Sequence, residues 1–169
     1  ITGRGTVTVG GTSGVTPTAA NADIDLGTLA STGTVALSTN GATGTATVIN
    51  ATALDFATTG VGDNLIATAT LGDITDSGTV TVGGTSSFTT TQANADIDLG
   101  ARATAGKGAR GAHGAPRTAT VNNATALDFA TTGVGDHLCA TATTGNHPDS
   151  GTSTVHVTTI ARTSATTAG

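Results

Sequence analysis

The chain has 169 residues and a net charge of −5, and Thr, Ala and Gly, at 41, 29 and 25 residues, make up more than half of it. Aromatic residues are 2% and charged residues 10%. That excludes a basic stripe or a stacking platform for nucleic acid, and it also excludes the charge-rich composition of ordinary disorder. The single cysteine, Cys139, has no internal disulfide partner, and no run of 18 apolar residues is present to span a membrane as a helix.

In chain order, short alternating runs predict strands with one buried face. They are Thr6-Val7-Thr8-Val9, Asp23-Ile24-Asp25-Leu26, Val35 with Leu37, Leu54 with Phe56, and Asn64-Leu65-Ile66-Ala67. Gly10-Gly11, Gly27, Asn40-Gly41, Gly60–Gly62 and Gly72-Asp73 separate them as predicted turns, since Gly and Asn accept positive φ. The same runs return as TVTVGG (79–84), SSFTT (86–90), ADIDLG (95–100), TATV (118–121), ALDFATT (126–132) and HLCATAT (137–143). No segment holds a helical period, and Gly with β-branched Thr weakens helices.

The return is a repeat. Residues 5–77 and 78–150 align without a gap at a period of 73, with 50 identities, and a partial third copy occupies 151–169. Residues 1–169 are thus one repeat array. The chain opens at Ile1 in the phase of Ile74, as a processed chain or a piece of a longer array would. The expected fold is all-β: a parallel β-helix, or β-solenoid, with about three coils per 73-residue repeat and three short strands per coil. Roughly seven coils would form a rod about 34 Å long. Tandem β-sandwiches are the alternative. Residues 101–117 depart from the pattern, matching 28–44 at five of 17 positions while gaining four of the six basic residues. A loop or poorly packed coil bulging from the rod is expected there.

The runs GDITDSGTVTVGGTSSFTTTQANADIDLG (72–100) and NATALDFATTGVGD (123–136) resemble the β-strand repeats of filamentous-haemagglutinin-like bacterial exoproteins and adhesins. The resemblance implies a right-handed parallel β-helix, secretion to the cell surface, and an adhesive or fibrous role. It supplies no catalytic residues.

Candidate chemistry is sparse. Asp23/Asp25 and their copies Asp96/Asp98 stand at i and i+2, where a shared strand face could hold Ca²⁺ or present a solvated, aggregation-blocking surface. TGVGDNLIA (59–67) partly resembles a calcium-binding nonapeptide, with Asn64 in the ligand Asp position. His137 and Cys139 form a lone i, i+2 pair, and His113, His147 and His156 also occur outside the first copy. Gly106-Lys107-Gly108 lacks the spacing of a phosphate loop. Asn50-Ala51-Thr52 and Asn123-Ala124-Thr125 are sequons, making Asn50 and Asn123 glycosylation candidates. Thr-x-Thr pairs recur at Thr6/Thr8, Thr45/Thr47, Thr68/Thr70, Thr79/Thr81, Thr118/Thr120 and Thr141/Thr143, and could stack into an ice-binding array.

The expected function is a structural or adhesive extracellular surface protein, or a fibre-forming subunit, with no enzymatic activity and no cofactor. Expected partners are copies stacked end to end, neighbouring repeats of a longer chain, or surface glycans. The alternative is a module binding ice, glycan or calcium through its Thr or Asp faces.

Overall fold

Side-chain alternation sets the strands. Ile24 and Leu26 are buried around an exposed Asp25, and Leu65, Ala67 and Ala69 are buried around Ile66 and Thr68. The β-branched Thr and Val keep these runs extended. The computed structural model describes residues 1–104, 107–112, 118–123, 128–142, 153–155 and 158–163. Among the described residues all regular structure is strand. The first nine strands are β1 (Val7–Val9), β2 (Ser13–Val15), β3 (Ile24–Ser31), β4 (Val35–Leu37), β5 (Ala46–Asn50), β6 (Leu54–Phe56), β7 (Thr59–Val61), β8 (Leu65–Ala69) and β9 (Ile74–Asp76). The others are β10 (Val80–Val82), β11 (Ser86–Thr90), β12 (Ile97–Thr104), β13 (Lys107–Ala112), β14 (Thr118–Asn123), β15 (Asp128–Val134), β16 (His137–Ala142), β17 (Ser153–Val155) and β18 (Thr158–Thr163).

The chain winds into a parallel β-solenoid. One sheet runs β1-β3-β5-β8-β11-β13-β15-β17, and the other runs β2-β4-β6-β9-β12-β14-β16-β18. Register partners lie one coil apart, from 19 residues (Ala46 with Leu65) to 23 (Ile74 with Ile97). Parallel pairing across such spans excludes tandem sandwiches, whose sheets are antiparallel. The coil has two principal sides rather than three strands. Where β7 and β10 pair with each other, beside β6 and β9, the second side is split into two strands.

The repeat and the coil are out of step. From β3 the chain visits β4, β5, β6–β7, β8, β9–β10 and β11, alternating sides, before it reaches β12, the copy of β3. One 73-residue repeat therefore spans seven half-coils, or three and a half turns. Among the described strands, each strand and its copy fall on opposite sheets: β3 and β12, β5 and β14, β8 and β16 each lie on different sides.

Between the sheets lies a thin continuous core. Leu26, Val48, Ala67 and Phe88 form one inward column, and Leu54, Ile74, Ile97, Ala119 and Leu138 form another. The small Ala67 beneath Phe88 leaves room for Phe56, which meets Phe88 edge-on from the opposite sheet at 6.0 Å between ring centroids. Coils approach so closely at one corner that a Cβ on Gly62 would overlap the carbonyl oxygen of Gly41, and one on Gly83 that of Gly62. Only glycine allows this spacing.

In place of the loop expected within 101–117, the described residues 101–104 and 107–112 are strand. β12 continues through 101–104, and β13 (Lys107–Ala112) pairs in parallel with β11 on one side and β15 on the other. Main-chain pairing from two neighbours does not depend on which side chains the strand carries, so losing the apolar pattern of 35–37 does not expel it. Residues 105, 106 and 113–117 lie outside the described residues.

Phe88→Ala removes one ring of the cross-sheet pair and leaves a cavity above Ala67. The expected cost is about 3–5 kcal/mol of unfolding free energy, measured by denaturant titration.

Candidate functional site

The outward positions form columns along the rod. On the first sheet one column is Asp25, Thr47, Ile66 and Ser87, and the next is Ile49, Thr68 and Thr89. On the second sheet the corresponding column is Asp55, Thr75, Asp98, Thr120 and Cys139. The Thr-x-Thr pairs therefore do not stack on one another: Thr47 lies between Asp25 and Ile66, and the pairs divide between the two sheets. Thr143 lies outside the described residues.

The half-turn offset also separates the aspartates. Asp25 is on the first sheet and Asp98 on the second. As expected, Asp25 and Asp98 point away from the buried Ile24/Leu26 and Ile97/Leu99. Asp23 and Asp96 have a different task. Asp23 Oδ1 accepts the main-chain N–H of Thr45 at 2.8 Å, and Asp96 Oδ1 that of Thr118 at 2.7 Å, each one coil further on. Asp73 and Asp76 accept the N–H groups of Asp96 and Gly100 in the same manner. These carboxylates tie coil to coil at the corners. The bond from the Thr45 backbone, then that from its side chain, lowers the Asp23 pKa below the ordinary carboxylate value.

Asn64, the position read as a calcium ligand, is another tie. Its Oδ1 accepts both the N–H and the hydroxyl of Thr85, at 2.8 and 2.7 Å. The copy of Asn64 is His137, which is half-exposed with Nε2 3.3 Å from Asp136 Oδ1. Cys139 is a partly exposed free thiol two residues along the same strand. Among the described residues no three His, Cys, Asp or Glu side chains gather as a metal cluster. His113, His147 and His156, and Gly106 of the Gly-Lys-Gly run, lie outside the described residues.

The sequon reading of Asn50 and Asn123 is corrected. Asn50 is 0% exposed and Asn123 1%. Asn50 Oδ1 accepts the Ser31 N–H at 2.8 Å, while Nδ2 donates to the Ser31 and Ala53 carbonyls at 2.9 and 2.6 Å and to the Thr52 hydroxyl at 3.1 Å. The amide nitrogen that would carry a glycan is enclosed and committed. The sequon's own Thr52 serves the same knot, its hydroxyl donating to the Ser31 carbonyl at 2.5 Å. From here a hydroxyl ladder continues along the rod: Thr70 Oγ1 donates to the Asn50 carbonyl and Thr91 Oγ1 to the Thr70 carbonyl.

Two features escaped the sequence reading. Asn21 and its copy Asn94 take left-handed backbone at φ 57° and 63°, a conformation that Asn tolerates. A groove of about 240 Å³ opens on the first sheet beside Gly27, Ile49, Ala51 and Thr70. A spacing of about one coil between polar corner residues, as in Asp23 to Thr45 and Asn64 to Thr85, was the signal for the ties. The stronger 73-residue period obscured it.

Residues 43–109 match a family model described as repeats of unknown function (DUF5649). No curated protein and no solved structure matches the chain. The chain is a β-strand repeat protein. The matched span runs from just before β5 into β13, so it covers the interior coils, where neighbours stack on both sides.

Asn50→Ala strips the buried Ser31 N–H of its partner and takes one donor from each of the Ser31 and Ala53 carbonyls, and the expected loss is about 1–3 kcal/mol in a denaturant titration. The Asp23 tie is tested by pH. A carboxylate whose pKa is lowered by folding stabilises above its unfolded pKa and loses that contribution as pH falls through the folded value. Asp23→Asn keeps an acceptor for Thr45 but removes the charge. Wild type is expected to exceed Asp23→Asn in Tm at neutral pH, and the gap is expected to close below the ordinary carboxylate range.

Proposed function

We propose that this chain is a scaffold segment of an extracellular surface or fibre-forming protein, structural or adhesive in role and not catalytic. The supporting observation is the wiring of its polar groups. Asp23, Asp73, Asp96, Asn50 and Asn64 bond the main chain of an adjacent coil, so groups that could do chemistry are spent on extending a rod. The outward Thr, Ser and Asp columns give that rod a wettable surface, with charges that discourage side-on pairing of sheets. The resemblance to filamentous-haemagglutinin-like adhesins supports the same reading. Because copies alternate sides, the rod shows equivalent columns on both faces, which suits a spacer or a two-sided adhesive strip. Surface glycans are the proposed environmental partners, and further coils of the same repeat the proposed axial ones.

Antibodies raised against the purified chain are expected to label intact cells of its source, and protease treatment of those cells is expected to remove the signal. Labelling only after the cells are opened would contradict the extracellular placement. For adhesion, the chain immobilised on a glycan array is expected to retain a subset of glycans, and a uniformly blank array would leave the structural role and remove the adhesive one.

A further inference from the structure

The chain contains one Asn-Gly dipeptide, Asn40-Gly41. It lies at the corner between β4 and β5, and both residues are exposed to water. An asparagine followed by glycine is prone to attack on itself, because no Cβ shields the next amide nitrogen from the side-chain carbonyl carbon. Attack also needs that amide to be unbonded. Among the described residues the Gly41 N–H makes no hydrogen bond. After Asn50 and Asn64 the following amides are committed: Ala51 N–H donates to the Leu29 carbonyl at 2.8 Å, and Leu65 N–H to the Thr85 carbonyl at 2.9 Å. The corner itself imposes the glycine. Gly41 has φ 107°, and a Cβ there would overlap Asn21 Oδ1. The residue that the corner requires is thus the one that leaves Asn40 open to attack.

We propose that Asn40 is a self-modifying site in the folded chain. The Gly41 nitrogen loses its proton and bonds to Asn40 Cγ. The Cγ–Nδ2 bond breaks, and Nδ2 leaves as ammonia, giving a cyclic imide. Water then opens the ring. Opening at Cγ gives aspartate, and opening at the main-chain carbonyl carbon gives isoaspartate, whose main chain runs through the side-chain methylene. No electrons are exchanged with another molecule, and solvent water is the co-reactant. Both products remove a coil-to-coil bond. Asn40 Nδ2 donates to the Thr18 carbonyl at 2.9 Å, and a carboxylate has no proton to give. Isoaspartate also lengthens the main chain at the corner where coils are closest, with the Gly41 carbonyl against Gly62. The corner therefore loosens as the protein ages. The second repeat does not share the site, because His113 stands at the position of Asn40. This chemistry is independent of where the protein is located and of what it adheres to.

The test incubates the full chain in mildly alkaline buffer, folded and, in parallel, in denaturant. Peptide mapping by mass spectrometry follows the replacement of NH2 by OH at each asparagine, and an isoaspartyl methyltransferase marks the isoaspartate. Folding is expected to leave conversion of Asn40 within a few-fold of its denatured rate. It is expected to slow Asn50 and Asn64 about tenfold or more, because their following amides must first open. Conversion of Asn40 in denaturant alone, or slowing by folding as great as at Asn50 and Asn64, would overturn the site. The converted chain is then expected to show faster hydrogen–deuterium exchange across residues 18–22 and 39–44 and a lower Tm than fresh protein. Asn40→Gln, whose longer side chain closes the ring far more slowly, is expected to hold its Tm through the same incubation. Full conversion with exchange and Tm unchanged would overturn the loosening of the corner.

Discussion

Parallel main-chain bonding between successive coils is the interaction on which the rest of this molecule depends. Each inner strand bonds to the coil before it and the coil after it, and this ladder needs no large side chains. It does need coils that can come close together, which is why Gly41, Gly62 and Gly83 stack at one corner, where a Cβ on Gly62 or Gly83 would meet the backbone of the glycine before it. With that spacing set, a core of Val, Ala, Leu and Ile with few aromatics is sufficient, because apolar side chains stack in columns such as Leu54, Ile74, Ile97, Ala119 and Leu138.

The polar residues follow from the same constraint. At the corners the chain leaves the ladder and its N–H groups lose their strand partners. Asp23, Asp73, Asp96, Asn64 and Asn50 take up those groups from the neighbouring coil. The few candidate ligands in the sequence are thereby largely coil-to-coil ties. Asp25 and Asp98 are left facing water, on opposite sheets.

Strand positions were legible because alternation is a local property: Ile24/Leu26, Val35/Leu37 and Leu54/Phe56 all face inward as the pattern predicts. The solenoid followed from short strands at regular spacing. Coil length was not legible, since a 73-residue period constrains only whole repeats, and three and a half turns fit it as readily as three. Asn50 misled because a sequon is defined by three residues, whereas its burial depends on Ser31 in the previous coil. Residues 107–112 misled for the opposite reason: their own pattern is lost, but β11 and β15 still pair with them.

The half-turn offset is the central claim, and pulsed electron-spin resonance tests it directly. Nitroxides would be placed at Thr47 and Thr120, copies of one another, with Cys139 replaced by Ser. A control pair at Thr47 and Ser87 lies in one column, two coils or about 10 Å apart along the rod. The offset puts Thr47 and Thr120 on opposite faces, about 17 Å apart axially and a further 10 Å or so across the sheets, so a label distance well beyond 20 Å is predicted. A distance near 14 Å, three whole coils on one face, would contradict it.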